Sequence, residues 1–361
     1  MGTVALSRSV IPAAFPRPVV SGEEAAGWCP EGPDTPKICL DIPTAQLEEA
    51  TMRRVKQIGV NYVACGGGPP IPWEESRIRS IMDTLKSGGL MLGNMMIGGF
   101  PNTLYGRPGR DEEIEKVRQS IRAAGRAGLP VIEYNFYAHR ATEGYYEETG
   151  RAGAGLTAFD YDRVKGLPPL AAEGTHTLDE MWRNITYFLK AVVPVAEESG
   201  VRLALHPNDP PAPISRGSEQ IMGSVEGWKH LIDIVPSKSN GITFDCGVTR
   251  EMGHDPVEVC RYFGARDRIN HVHFRNVQVR VANEKYTEVF IDEGENNMFA
   301  VMKELVRQKY PRLIFPEHPR GLDYDRNRPG FKAQYPGGGG YAAYAFNVGY
   351  TRAMLQASLA S

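Results

Sequence analysis

Cysteine is scarce in this chain of 361 residues. The five present, Cys29, Cys39, Cys65, Cys246 and Cys260, are odd in number and widely spaced, and no C-x-x-C pair occurs. That argues against a disulfide framework and fits a reducing cytoplasm. Long apolar runs are also missing. The longest fall well short of the ~20 residues that span a bilayer, so no membrane partner is expected. The opening stretch MGTVALSRSVIPAAFPRPVV is broken by prolines and arginines and has no apolar core, so a secretory signal is not expected. The serine after Gly2 stands at position 7, one too late for the myristoylation pattern. Charge of one sign is lacking too: 41 Lys and Arg nearly balance 43 Asp and Glu, for a net charge of −2. Without an arginine-rich block, bulk electrostatics give no reason to expect nucleic acid as partner.

What is there is regular. Residues 1–36, rich in proline, glycine and small side chains, read either as an extended arm crossing a neighbouring subunit of a homo-oligomer (dimer or tetramer) or as a poorly ordered tail. From residue 37 onward, short apolar runs alternate with amphipathic stretches. Strands are predicted at 37–42, 61–65, 90–97, 129–136, 201–207, 240–247, 269–277 and 312–318. Helices are predicted at 44–59, 74–89, 111–128, 177–200, 218–235, 255–264, 296–310 and 341–360. The helix over 111–128 is typical: acidic residues open it, basic ones lie near its end, and Ile114, Val117 and Ile121 form its apolar face. Residues 137–175 read as a long loop, and the glycine run at 337–340 as plain loop, flexible lid or anion-binding turn. Eight strand-then-helix units predict a parallel sheet with helices outside. Closure into a (β/α)8 TIM barrel leaves no edge strand, so residues 37–361 are expected to form one barrel catalytic domain.

Catalytic groups in such a barrel sit at the carboxyl ends of strands. Strands five to eight end in LALHPND, TFDCG, HVHFRN and FPEHPRG, each offering a potential metal ligand: His206, Cys246, His273 and Glu317. Singly these signals are weak, since a lone strand-end cysteine is usually a small core residue. Four at equivalent topological positions make a metal site. Thiolate softness admits Zn2+ or Fe2+, whereas carboxylate and open positions suit Mn2+ or Mg2+. Asn208, Asp209, Arg275 and Asn276, with Asn135 after strand four and Arg320 after strand eight, are candidate substrate contacts. Within HPNDPP, Asn208 and Asp209 read equally well as turn formers.

The segments LALHPNDPP, GITFDCG, HVHFRNV, PEHPRG and GGGGYAAYAFNVGYTRAM, in this order, resemble the mannonate dehydratase family. The likeness covers roughly residues 40–360 and is densest from 200 onward. It implies a (β/α)8 barrel using Mn2+ or Fe2+ that converts D-mannonate, a small-molecule sugar acid, to 2-keto-3-deoxy-D-gluconate and water in hexuronate breakdown. It further implies His206, Cys246 and His273 as ligands, with Glu317 where the family has aspartate. His318 and Tyr341 become the proton-transfer pair, in unassigned order. The chain departs from the family in that glutamate, in the Asp245 preceding Cys246, in its 137–175 loop and in its longer glycine run. Two other readings stay open. A divalent-metal sugar isomerase or epimerase of the xylose-isomerase-like barrels would turn Asp245, not Cys246, toward the metal, because neighbouring strand residues face opposite ways. A sugar-acid binding protein on a decayed barrel would turn nothing over.

Overall fold

The computed structural model describes residues 31–138, 140 and 142–361. Of the predicted arm, residues 1–30 lie outside the described residues, and with them Cys29. Eight parallel strands close a barrel: β1 (Lys37–Asp41), β2 (Tyr62–Cys65), β3 (Met91–Ile97), β4 (Val131–Tyr134), β5 (Arg202–Leu205), β6 (Asn240–Asp245), β7 (Ile269–His273) and β8 (Leu313–Phe315). They pair in the sequential order that a barrel requires, with β1 hydrogen-bonded to both β2 and β8. Outer helices follow each strand: α1 (Glu49–Gln57), α2 (Glu75–Ser87), α3 (Arg110–Ala127), α4 (Leu178–Glu198), α5 (Val225–Ile234), α6 (Pro256–Gly264), α7 (Met298–Arg307) and α8 (Tyr341–Ala360). The expected barrel is therefore present, strand for strand.

Local chemistry sets these boundaries. Thr177 and Glu180 form a capping box at the start of α4, satisfying backbone N–H groups that have no partner inside the helix. Asp111, Glu112 and Glu113 open α3 against its dipole, and Gly128 ends it at a φ of 88° that a side chain would resist. No helix among the described residues is long and apolar enough to cross a membrane.

Two segments differ from the sequence expectation. The stretch 137–175 is not bare loop. Strands Tyr145–Thr149 and Gly155–Asp160 join Val277–Val281 and Lys285–Glu288 in a four-stranded antiparallel sheet. Strand seven accordingly stops at His273, and residue 277 opens a new hairpin. The run 337–340 is held by backbone contacts, and at its end Gly340 N, with Ala342 N and Ala343 N, donates to the Asp325 carboxylate. Gly337 accepts from Gly321 N at 2.9 Å and Gly339 donates to Pro319 O at 2.7 Å. A Cβ on Gly337 would come within 2.2 Å of Leu156 O, and one on Gly339 within 2.3 Å of Arg320 O. These glycines exist so that backbones can touch.

The amino-terminal end of the barrel is tied by one carboxylate. Arg202 at the start of β5 donates to both Asp267 oxygens, at 3.1 and 2.7 Å, and Arg312 just before β8 donates at 2.8 Å. Burial works against the Asp267 charge, but the two guanidiniums win and hold its carboxyl down at about 2. Asp267 has φ 54°, which asparagine also tolerates, so Asp267→Asn removes charge without straining the turn. The variant should lose about 1 kcal/mol at neutral pH, a figure reduced for partial exposure. A depressed pKa stabilises above the unfolded value of about 3.9. The wild-type advantage in urea unfolding should therefore shrink as pH falls from 4 through about 2. An equal difference at every pH would rule out the charge as its cause.

Candidate metal centre

Strand period and register build the site. Side chains two apart on a strand share a face. Thr243 with Asp245, and His271 with His273, therefore point into the barrel together, and pairing sets Asp245 beside His273. Cys246 is one residue further on. It begins a short helix, Cys246–Glu251, whose first N–H groups are capped by Asp245, with Val248 N donating to Asp245 Oδ1 at 2.8 Å.

Two buried groups of ligand atoms, each within 4.8 Å of one another, meet at His273: Glu133 with His206, and Asp245 with Glu317. Cys246 is in neither. It is fully buried, and burial first, then the neighbouring Asp245, push its thiol well up. Asp245, rather than Cys246, stands with His273 and Glu317 in one of these groups.

His206 Nδ1 lies 2.7 Å from Pro207 O, an acceptor, so its proton belongs there and Nε2 is left bare. That Nε2 is 3.2 Å from His273 Nδ1, which lies 3.0 Å from Glu317 Oε1 and 3.8 Å from Asp245 Oδ2. On its other side His273 Nε2 faces Glu133 Oε1 at 3.6 Å. Glu133 is itself fixed, accepting from Thr243 Oγ1 at 2.6 Å and Asn94 Nδ2 at 2.8 Å. Glu133 thus orients the His273 ring, a role that carboxylates commonly play behind metal-bound histidines. Burial should raise its carboxyl, yet the facing His271, His273 and His206 lower it. Burial would likewise lower His273, but Glu317, Glu133 and Asp245 carry it up to about 9. Glu317 Oε1, buried, makes no hydrogen bond of acceptable geometry despite the nearby His273 and Arg275 nitrogens. An orphaned carboxylate oxygen amid two imidazoles and a second carboxylate fits a divalent cation.

Around this centre lies a buried ionic layer. Arg275 donates to Glu251 at 2.6 Å, Asp245 at 3.1 Å and Asp209 at 3.1 Å. His318, in left-handed backbone at φ 47°, holds Glu288 Oε2 through Nδ1 at 2.9 Å, and its Nε2 is 3.5 Å from Glu317 Oε2. Arg320 donates to the same Glu288 oxygen at 2.9 Å and to His318 O at 2.8 Å. Burial opposes the His318 charge, but Glu288 and Glu317 raise its pKa.

Of the expected substrate contacts, Asn208 holds the 220–222 segment, accepting from Met222 N at 2.7 Å and donating to Gln220 at 2.7 Å. Asn276 ties down the loop before α7 through Ile291 O and Asn296 O. Asp209, Arg275 and Arg320 belong to the ionic layer. Asn135 keeps a buried Oδ1 with no partner among the described residues. Tyr341 does not join the centre: its hydroxyl donates to Arg54 O on α1 at 2.9 Å. Two other tyrosines are closer. The Tyr335 ring lies 4.6 Å from His318, and Tyr344 stacks on Phe315. Burial above all, and then Glu317 with other nearby carboxylates, raises both phenols.

Sequence reasoning missed Glu133, Glu288 and Tyr335. Glu133 had a signal, a carboxylate inside the apolar run VIEY; the other two lie in segments with no periodic pattern. Asp41, at the end of β1, was also passed over. Burial first, then Glu133 and Glu317, push it up to about 6.

The placement of Asp245 and Cys246 gives opposite expectations for two variants. After reconstitution with Mn2+, Cys246→Ser should retain about one metal per chain, and Asp245→Asn should bind at least about tenfold more weakly. Metal analysis after dialysis reads both; loss on Cys246→Ser with retention on Asp245→Asn would reinstate the thiolate.

Comparison with known proteins agrees with this architecture. The D-mannonate dehydratase (UxuA) family matches residues 170–337. A mannonate dehydratase of Thermotoga petrophila is 30% identical over 327 residues, covering 79% of this chain and 89% of that protein. The crystal structure of mannonate dehydratase from Streptococcus suis serotype 2 superposes with a TM-score of 0.80 at 27% identity, covering 90% of this chain and 95% of that one. An L-ribulose 3-epimerase, at 14% identity and a TM-score of 0.56 over 90% of this chain and 96% of its own, shares the fold alone. With the barrel, the buried centre and a relative matched over most of its length, the chain belongs to the mannonate dehydratase family.

Proposed function

We propose that this protein dehydrates an aldonate, D-mannonate or a close relative, to the 2-keto-3-deoxy acid and water, with Mn2+ or Fe2+ held by His206, Asp245, His273 and Glu317. Family membership makes it a lyase, a sugar-acid dehydratase. The observation that carries the metal reading is the bare His206 Nε2 facing His273 and the orphaned Glu317 oxygen at one buried point. Two imidazoles and two carboxylates suit Mn2+ or Fe2+ better than Mg2+, which favours oxygen ligands and water, or Zn2+, which favours thiolate and imidazole. The odd number and wide spacing of the cysteines, which argue against a disulfide framework, support a cytoplasmic setting, and hexuronate breakdown is the matching route.

When bound, such a cation supplies Lewis acidity toward the substrate carboxylate and its neighbouring hydroxyl. The hydrogen beside the carboxylate leaves to a base, the hydroxyl one carbon further leaves with a proton as water, and the resulting enol tautomerises to the keto acid. His318 is the acid for the departing hydroxyl. Glu288 anchors its Nδ1–H and, with Glu317, raises its pKa against burial, which favours the charged ring that carries a proton on Nε2. Tyr335, against the same ring, is the second proton-handling group in this reading and replaces Tyr341. Asp245 in place of a thiolate also favours the isomerase or epimerase alternative, since that ligand set needs no cysteine.

Metal-loaded enzyme offered a panel of aldonates should form 2-keto-3-deoxy acid; isomerised aldoses or ketoses with no such product would select the alternative. His318→Asn should abolish turnover with metal content intact, whereas loss of metal would make His318 a ligand. Glu288→Gln removes the charge that raises His318. The alkaline limb of kcat/KM should then move to lower pH, by about one unit or more. An unmoved limb would take the proton away from His318.

A further inference from the structure

The carboxyl ends of β2, β3 and β4 enclose a cavity of about 800 Å3 at the catalytic mouth of the barrel, across from the strands that carry the candidate ligands. It reaches the centre's edge at Asn135 and Tyr137. Burial and the charges of Asp209 and Asp245 act on the Tyr137 phenol, which marks how near the two regions are. Pockets of about 300–1,000 Å3 enclose drug-sized ligands, and a free six-carbon acid is smaller than that.

The wall is built to stay open. Gly67 and Gly98 both line it, and a Cβ on either would meet nothing within 4 Å. Gly98 has no left-handed φ that would demand glycine, so its missing side chain leaves volume rather than relieving strain. Pro69, Met96 and Phe100 supply apolar faces. Asn135, whose Oδ1 has no protein partner among the described residues, lines the end nearest the centre and brings an amide there. Apolar faces with a polar acceptor match a pyranose ring, whose C–H faces are apolar and whose hydroxyls are donors.

We propose that this cavity is a subsite for a glycosyl substituent on the distal end of the aldonate, so that the preferred substrate is an aldobionic-type acid rather than a free hexonate. The proposal rests on the dehydratase reading for the acid end only. Dehydration at the carbons next to the carboxylate leaves a distal glycosidic bond untouched, so the chemistry is the same for both substrates.

The test compares D-mannonate with 6-O-glucosyl-D-mannonate on Mn2+-loaded wild type and Gly98→Leu. The glucosyl acid should have a kcat/KM about tenfold or more above the free acid. Gly98→Leu, which puts a side chain where a Cβ meets nothing within 4 Å, should erase that preference and leave the free acid within about twofold. Equal kcat/KM values in the wild type, or a preference that survives Gly98→Leu, would overturn the subsite. If neither acid is turned over, the dehydratase reading fails by itself. Calorimetric binding then decides the subsite: tighter binding of the glucosyl acid that Gly98→Leu abolishes supports it, and equal binding refutes it.

Discussion

Buried negative charge governs this molecule's catalytic end. Glu133, Asp209, Asp245, Glu251, Glu288 and Glu317 are all buried around one point. Facing them are two guanidiniums, Arg275 and Arg320, and two imidazoles held toward their charged form, His273 and His318. Carboxylates outnumber cations by two, and a buried unpaired charge costs several kcal/mol. Without an ion the imbalance falls on protons: burial, ahead of other causes, pushes Asp245 up and Glu251 well up. A divalent cation would offset this excess and favour ionised carboxylates, the state in which they bind metal, with His273 giving up its extra proton to bind.

The layers around the centre follow from that constraint. Arg275 is ion-paired with Glu251, Asp245 and Asp209 and so positions these carboxylates. The antiparallel sheet over the barrel mouth exists in part to deliver such groups. Its strand Lys285–Glu288 brings Glu288 to His318 and Arg320, and Tyr286 to Tyr145, whose hydroxyl meets Asp209 at 2.8 Å. Loop residues therefore set the protonation of the groups that strands present.

How much of this was legible in sequence depends on the range of the interaction. Strands and outer helices follow short-range periodicity, and each expected strand lies where its apolar run stands. His206, His273 and Glu317 follow from strand ends, a topological rule. Cys246 lies one residue past the strand: β6 stops at Asp245, and Cys246 opens the short helix that follows. Tyr341 failed because it opens a helix on the outside, whereas Tyr335 arrives through a loop that sequence cannot trace. In the 137–175 sheet the hairpin of Tyr145–Thr149 with Gly155–Asp160 is local, but its further partner, Lys285–Glu288, lies more than a hundred residues away.

The centre itself can be observed directly. Crystals of the Mn2+-loaded protein, measured at the manganese absorption edge, should show one anomalous peak at bonding distance from His206 Nε2, His273 Nδ1, Asp245 and Glu317, with Cys246 Sγ outside the coordination sphere. A peak bonded to Cys246, or none within this group, would contradict the account.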